Sequence, residues 1–217
     1  MNDWIGLLIS FAYLGLVILI AMRLQKWPHE MSRTFAHIMV ANWWLIASLV
    51  LQSYWAAMAA PLFFVVFNTL NAIFNWIPAI NSKNRYKNLG TVYYAISVTA
   101  LTHFTFMDPQ LRIAGGLGLL AMGYGDGLAA VIGQFYGKHT YSIFRGNKSL
   151  EGTLAMLVSV IAVSAAYLFW QVGVVDWPIL LMIAAIATGV EAISPYGLDN
   201  LFVPLLTALL YIITIFN

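Results

Sequence analysis

Long apolar segments separated by short polar connections limit most strongly what this chain can fold into. Of its 217 residues, 62% are hydrophobic and 8% are charged, and the mean hydropathy is +0.84. A soluble domain carries about 25% charged residues, whereas a helix that crosses a bilayer needs about 20 mostly apolar ones. Eight segments fit a bilayer: Ile5–Met22, Phe35–Leu51, Trp55–Trp76, Leu89–Phe106, Leu111–Tyr136, Glu151–Trp170, Trp177–Ile193 and Asn200–Phe216. We therefore predict an all-α fold, a polytopic integral membrane bundle of about eight transmembrane helices forming a single domain, residues 1–217.

The basic residues predict how this bundle is oriented. The connections 23–34, 77–88 and 137–150 carry nine of the ten Lys and Arg residues. Because cytoplasmic loops are enriched in basic residues, we expect these three connections in the cytoplasm and both termini on the other side. The first segment is followed, not preceded, by basic residues, so it is predicted to be an uncleaved span. The chain has no cysteine, which excludes disulfides and thiolate metal sites, and its net charge of +2 does not indicate a nucleic acid partner.

Four acidic residues are expected together at the cytoplasmic face. They are Asp126, Glu151, Glu191 and Asp199, each near the cytoplasmic end of a predicted helix. Carboxylates at one depth repel one another unless cations join them, and a hard cation such as Mg²⁺ prefers oxygen ligands. We therefore predict a Mg²⁺ site here, although Glu191, Asp199 and Asn200 would also fit a structural polar cluster.

Asp126 is the residue that points most clearly to a functional site, because burying a lone carboxylate in hydrocarbon costs a few kcal/mol. With Ala130, Gly133 and Gly137 it shares one face of a helix, a face otherwise built of small residues. Tight helix packing alone would explain those small residues. The glycines on both sides of Asp126 indicate a loosened backbone that a phosphate or a metal ion can approach.

The segment 147–153, Asn-Lys-Ser-Leu-Glu-Gly-Thr, is typical of a helix start. Ser149 is predicted as its N-cap, with Glu151 in the first turn. Free N–H groups beside Lys148 would attract phosphate, although an ordinary cap with a snorkelling lysine has the same sequence. His37 and Arg33 are candidate functional residues. His37 would also be explained by a hydrogen bond inside the bundle, and Arg33 by its effect on membrane topology. The basic cluster of Lys83, Arg85 and Lys87 is better explained by contact with lipid headgroups and by membrane topology than by a substrate site.

Taken together, these motifs resemble the CTP-dependent lipid-alcohol kinases, which include dolichol, phytol, farnesol and fungal-type diacylglycerol kinases. The resemblance depends on Gly125-Asp126-Gly127, on the 147–153 segment and on the stretch from Glu191 to Pro204. Arg33-Thr34 stands where family members often have Arg-Lys. Phosphatidate cytidylyltransferases are more distantly similar, but their long signature with several aspartates is not evident.

The resemblance implies a kinase that moves the γ-phosphoryl group of CTP to the hydroxyl of a lipid alcohol with Mg²⁺. The alcohol would enter from the bilayer, and an isoprenoid alcohol such as phytol, farnesol or a polyprenol is favoured over diacylglycerol. Metal ligation is expected from Asp126, Asp199, Glu191 and Glu151, and catalysis from Asp126, His37 and Glu151, with Asp126 or His37 taking the hydroxyl proton. Nucleotide or phosphate binding is expected from Lys148, Ser149, Arg145, Lys138, Gly133, Gly137, Arg33 and Asn200.

Two other functions share some of these features. A cytidylyltransferase that makes a CDP-lipid would use the same nucleotide, metal ion and membrane. A cation-coupled transporter would also bind a cation through acids inside the membrane, but it predicts inverted repeats and acids near the midplane. Here the acids gather toward one face and no repeat is evident.

Overall fold

The computed structural model describes residues 2–24, 29–80, 89–143 and 146–216 of the chain. Within these ranges the fold has eight α-helices, one short 3-10 helix and one antiparallel hairpin. In chain order they are α1 (Asp3–Leu24), α2 (His29–Val50), α3 (Tyr54–Phe74), the 3-10 helix (Pro78–Ile80), α4 (Leu89–Thr105), α5 (Pro109–Tyr136), β1 (Thr140–Ile143), β2 (Gly146–Ser149), α6 (Leu150–Val172), α7 (Trp177–Ile193) and α8 (Asp199–Phe216). The predicted helical bundle is confirmed, whereas the hairpin was not predicted.

The outer surface of the bundle is suited to lipid. Among the described residues, five helices are long and apolar enough to cross a membrane, namely α1, α3, α5, α6 and α8, and α7 is apolar but shorter. Large apolar side chains point away from the bundle, with Phe63 50%, Leu154 60% and Leu209 51% exposed. Hydrocarbon tolerates such a surface, and a helix satisfies its own backbone hydrogen bonds there. The protein is therefore an integral, multi-pass membrane protein.

Consecutive helices run in opposite directions, so the same kinds of connection meet at each end. At one end the Ser32 hydroxyl, near the start of α2, donates to the carbonyls of Ala21 (2.7 Å) and Ala79 (3.1 Å). This end also carries the β1–β2 hairpin, and we call it the hairpin end. At the opposite end the Asp3 carboxylate accepts a hydrogen bond from the Gln52 N–H at 2.9 Å. The described helix ends next to the three connections rich in basic residues therefore share the hairpin end.

Helix α5 is the centre of the bundle, packed against α2, α4, α6 and α8. Its most apolar stretch is 67% buried, compared with 28–33% in the other four candidate spans. The glycines beside Asp126 explain this packing: a side chain on Gly125 would collide with Met156 of α6, and one on Gly127 would press against Ile38 of α2. The prediction of a loosened backbone there is wrong, because α5 continues as a regular helix through both glycines.

Candidate active site

Three buried or largely buried carboxylates meet at the hairpin end. Asp126 comes from α5, Glu191 from the last turn of α7 and Asp199 from the first residue of α8. One carboxylate oxygen from each lies within 4.8 Å of the others. This spacing lets a single cation contact all three side chains, and it brings together three of the four predicted metal ligands.

Lys148 reaches this cluster from strand β2. Its ammonium nitrogen lies 2.5 Å from Oε1 of Glu191 and 3.5 Å from Oδ2 of Asp199, and it also donates to the Glu191 main-chain carbonyl. Burial lowers the pKa of Lys148, but the charges of Glu191 and Asp199 outweigh burial and raise this pKa above its ordinary value. Lys148 therefore stays charged at neutral pH, and it offsets one of the three negative charges when the acids are ionised.

The α7–α8 turn holds Glu191 and Asp199 in place. Tyr196 has φ 55° and Gly197 has φ 82°, so the chain reverses within a few residues. Gly197 also lies so close to α4 that an added Cβ would sit 2.8 Å from Cα of Gly90. Asn200 then fixes Asp199, since its side-chain amide donates to Oδ1 at 2.9 Å and to the Gly197 carbonyl at 3.2 Å. Asn200 thus holds a carboxylate of the cluster in place, and its predicted nucleotide binding stays a prediction.

His37 lies on the other side of Asp126, on helix α2. Its ring stacks on Tyr94 with 4.1 Å between ring centres, and the side chain is 9% exposed. Nε2 lies 3.9 Å from Oδ2 of Asp126, beyond hydrogen-bond distance, and it has no partner among the described residues. A buried polar atom without a partner is costly, so this nitrogen is suited to a group that the protein alone does not supply.

Glu151 is not part of the acid cluster. Its carboxylate accepts hydrogen bonds from the backbone N–H of His139 at 3.3 Å and contacts His139 Nδ1 at 2.7 Å, at the base of the hairpin. The structure therefore does not bring Glu151 together with the other three predicted metal ligands, and its predicted metal-binding and catalytic roles stay predictions. Although it lies in the first turn of α6 as predicted, its side chain is held by the hairpin.

The start of α6 is closer to an ordinary cap than to an open phosphate site. Ser149 is the N-cap, as predicted, and its hydroxyl accepts from the N–H of Gly152 at 3.1 Å. The N–H of Leu150 donates to the His139 carbonyl at 3.0 Å. These two N–H groups already donate hydrogen bonds within the protein, so fewer N–H groups are free to bind phosphate than the sequence predicted. Gly133 faces Gly152 here and lets α5 and α6 approach closely, since a Cβ on Gly152 would lie 3.3 Å from Cα of Gly133.

A polar cavity of about 1320 Å³, counting its open mouth, surrounds the acid cluster. Its walls include four of the residues predicted to bind nucleotide or phosphate, namely Arg33, Lys148, Ser149 and Gly133. It is also lined by polar residues that were not among the predicted site residues: Gln134, Thr140, Asn147, Thr153, Ser194 and Tyr196. In the structure Tyr196 stands out because a residue other than glycine has a positive φ there, whereas nothing in the sequence marks it as a site residue.

The other predicted phosphate-binding residues are placed differently. Lys138 is exposed and Gly137 ends α5, and neither is among the residues that line the polar cavity. Arg145 lies outside the described residues, as do Lys83, Arg85 and Lys87. Thr34 is buried, and its hydroxyl donates to the Gly127 carbonyl at 3.3 Å. A lysine at this position would have to leave that contact with α5.

The cluster has the oxygen ligands that a hard divalent cation needs. Three carboxylates converge, and Oε2 of Glu191 is buried without a hydrogen-bond partner among the described residues. Mg²⁺ takes oxygen ligands and is commonly bound through one or two carboxylates together with substrate phosphates. The residues therefore fit Mg²⁺, with Lys148 and Arg33 on the surrounding wall for further anionic oxygens.

A lipid-facing helical bundle with a charged cavity at one end defines an integral membrane protein with a candidate active site at that end. The chain is 34% identical to the phytol kinase of Synechocystis sp. over 212 residues, covering 95% of this chain and 90% of that protein. It is 28% identical over 206 residues to a dolichol kinase of Arabidopsis thaliana, covering 84% of this chain and 35% of that protein. It is 36% identical over 97 residues to a dolichol kinase of Schizosaccharomyces pombe, covering 44% of this chain and 18% of that protein. The chain matches no protein-family model and no solved structure.

The chain belongs to the lipid-alcohol kinase family, and it is a membrane phosphotransferase. The match to the phytol kinase extends over nearly the whole of both chains, whereas this chain spans about a third or less of the length of the two dolichol kinases.

Proposed function

We propose that this protein transfers the γ-phosphoryl group of CTP to the hydroxyl of an isoprenoid alcohol with Mg²⁺. The observation that carries the proposal is the meeting of three carboxylates and Lys148 in one cavity that borders the apolar bundle. An acid cluster with a lysine fits a metal–triphosphate complex, and the bundle beside it fits a lipid acceptor. The similarity to a phytol kinase supports an isoprenoid acceptor.

The roles follow from the geometry. Asp126, Asp199 and Glu191 would hold Mg²⁺, which supplies charge neutralisation at the phosphates when bound. Lys148 and Arg33 would bind phosphate oxygens from the cavity wall. Asn200 would keep the Asp199 carboxylate in position. Phosphoryl transfer needs mainly positioning and charge stabilisation, and these residues provide both.

In the proposed reaction the alcohol oxygen forms a bond to the γ-phosphorus, and the bond from that phosphorus to the β–γ bridging oxygen breaks. CDP leaves with the electron pair of the broken bond, and the hydroxyl proton passes to a protein base. We assign this base to Nε2 of His37, which is buried, without a partner among the described residues, and 3.9 Å from Asp126. Asp126 would then be free to act as a ligand.

We further propose that the hairpin end faces the cytoplasm, where CTP and Mg²⁺ are available. The basic connections at this end support that orientation, since cytoplasmic loops of membrane proteins carry the excess of Lys and Arg. Both termini would then lie on the non-cytoplasmic side.

A transfer assay tests the function. Purified protein in lipid nanodiscs would be incubated with phytol and with each of the four ribonucleoside triphosphates, labelled at either the α- or the γ-phosphate. We expect γ-label from CTP in the lipid fraction, dependent on Mg²⁺ and absent after chelation. Transfer of the α-label would instead identify a cytidylyltransferase, and transfer from ATP but not CTP would overturn the donor assignment.

A further inference from the structure

A second cavity lies between α1, α2, α3 and α4, and its walls are mostly apolar. Leu14, Val17, Phe64 and Val98 are among the side chains that line it. It is a narrow cleft, and the space between its walls together with its open mouth is about 770 Å³. A cavity of this kind inside a membrane protein is suited to a hydrocarbon chain.

The polar groups of this cavity lie toward its hairpin end. Arg33 and His37 come from the first half of α2, Thr91 from the first turn of α4, and Asn68 from the last two turns of α3. The Asn68 amide donates to the Thr91 carbonyl at 3.1 Å, which satisfies that carbonyl next to the cavity. One polar end and one apolar body match a molecule with a single polar head and a long tail.

The apolar part extends away from this end toward the middle of the bundle. His37 and Trp43 both line the cavity and are six residues apart on α2, a rise of about 9 Å along the helix. Trp43 is 1% exposed and belongs to the hydrophobic core. The cavity therefore extends among the buried apolar side chains of the bundle.

The apolar cavity and the polar cavity meet at two side chains. Arg33 lines both of them. His37 lines the apolar cavity, and its unpartnered Nε2 lies 3.9 Å from Asp126, which lines the polar cavity. A hydroxyl held at His37 would consequently face the acid cluster while its chain stayed among apolar side chains.

We propose that the cavity between α1 and α4 is the acceptor site, holding the chain of a long isoprenoid alcohol with its hydroxyl between His37 and Asp126. This inference rests on the proposed kinase reaction and adds to it the location of the acceptor's hydroxyl and chain. A phospholipid chain is the alternative occupant, and the experiments below separate the two.

The first experiment fills the cavity. Ala36 lines it and is half-buried, so Ala36→Phe places a ring in the path of the chain. Because overfilling a packed site costs about 1–3 kcal/mol, we expect the KM for phytol to rise about 10-fold or more, with little change in the KM for CTP. The matched control is Ala166→Phe on the exposed face of α6. An unchanged KM for phytol in Ala36→Phe would overturn the proposal.

The second experiment needs no variant and decides the question if Ala36→Phe does not fold. A phytol analogue with a diazirine in its chain would be photolysed with the wild-type protein in nanodiscs, and the labelled peptides would be mapped. We expect labelling on α1–α4 that excess phytol removes. Labelling that phytol removes only from α5–α8, or that only phospholipid removes, would overturn the acceptor site.

The two proposals fail in different ways. If the kinase reaction is wrong, wild-type protein phosphorylates no alcohol, whatever the labelling pattern. If only the acceptor site is wrong, wild-type protein phosphorylates phytol, but Ala36→Phe behaves like Ala166→Phe.

Discussion

Lys148 binds Glu191 twice, through the Oε1 carboxylate oxygen at 2.5 Å and through the main-chain carbonyl at the end of α7. This pair ties the hairpin to the α7–α8 turn, two parts of the chain that are 43 residues apart. It therefore has a structural and an electrostatic effect at the same site. A phosphate bound in the polar cavity would find the ammonium group already held in place.

Replacing Lys148 with methionine should reduce kcat/KM for the nucleotide by about 100-fold or more, because a preorganised positive group is lost where charge develops. The KM for the alcohol should change little. Lys138→Met is the matched control, since Lys138 is exposed and does not line the polar cavity. Steady-state kinetics in nanodiscs give both constants, and equal effects of the two substitutions would contradict the role of Lys148.

Asp126→Asn keeps the size of the side chain and removes its charge. We expect turnover to fall about 1000-fold while the protein remains folded, since a metal ligand beside the reacting groups is lost. Asp108→Asn is the control: Asp108 caps α5 at the opposite end through the N–H groups of Gln110 and Leu111, and asparagine caps a helix about equally well. Retained turnover in Asp126→Asn would remove this residue from the mechanism.

The apolar segments predicted the helices well for a physical reason. In hydrocarbon every backbone polar group must be bonded within the segment, so an apolar stretch of sufficient length has little choice but to form a helix. Trp177–Ile193 was predicted with the bounds that the structure gives it, and most other bounds differ by one or two residues. Helix α2 is the exception: it begins at His29, six residues before the predicted segment, because its first turns are polar.

Side-chain direction could not be predicted in the same way. The sequence places Asp126, Glu151, Glu191 and Asp199 at one end of the bundle, but how far each helix is rotated depends on its packing. Glu151 turned toward His139 because the hairpin, a short polar element stabilised by contacts such as Lys148–Glu191, lies beside the start of α6. The distance of 3.9 Å between His37 and Asp126 likewise depends on the close approach of α2 and α5 at Gly127.

Gly197→Ala should disturb both stability and turnover. Gly197 has φ +82°, and an added Cβ would lie 2.8 Å from Cα of Gly90, so the turn that carries Asp199 must shift. Gly173→Ala is the control, because Gly173 has φ +79° with nothing within 4 Å of its added Cβ. A left-handed conformation costs a residue other than glycine about 1–2 kcal/mol, so both variants should have a lower melting temperature than wild type.

Thermal melting followed by intrinsic fluorescence, together with initial rates below the melting range, separates the two contributions. Gly197→Ala should lose stability and also activity at temperatures where it is folded. Equal activity of the two variants would show that the turn does not set the position of Asp199.

Mg²⁺ should stabilise the wild-type protein in the absence of nucleotide. A ligand that binds only the folded state raises stability by about 2.7 kcal/mol at 100 times its Kd. We expect the melting temperature to rise with Mg²⁺ concentration in wild type, and not in Asp199→Asn, whose carboxylate belongs to the cluster.

Glu151→Gln tests whether Glu151 acts independently of the three-carboxylate cluster at the same end of the molecule. Its carboxylate is bonded to His139 and lies outside the three-carboxylate cluster, so the variant should keep the Mg²⁺-dependent shift and most of its turnover. Some loss of melting temperature is expected, because the contact between the hairpin and α6 is weakened. A Glu151→Gln protein that melts like wild type but no longer responds to Mg²⁺ would return this residue to the ligand set.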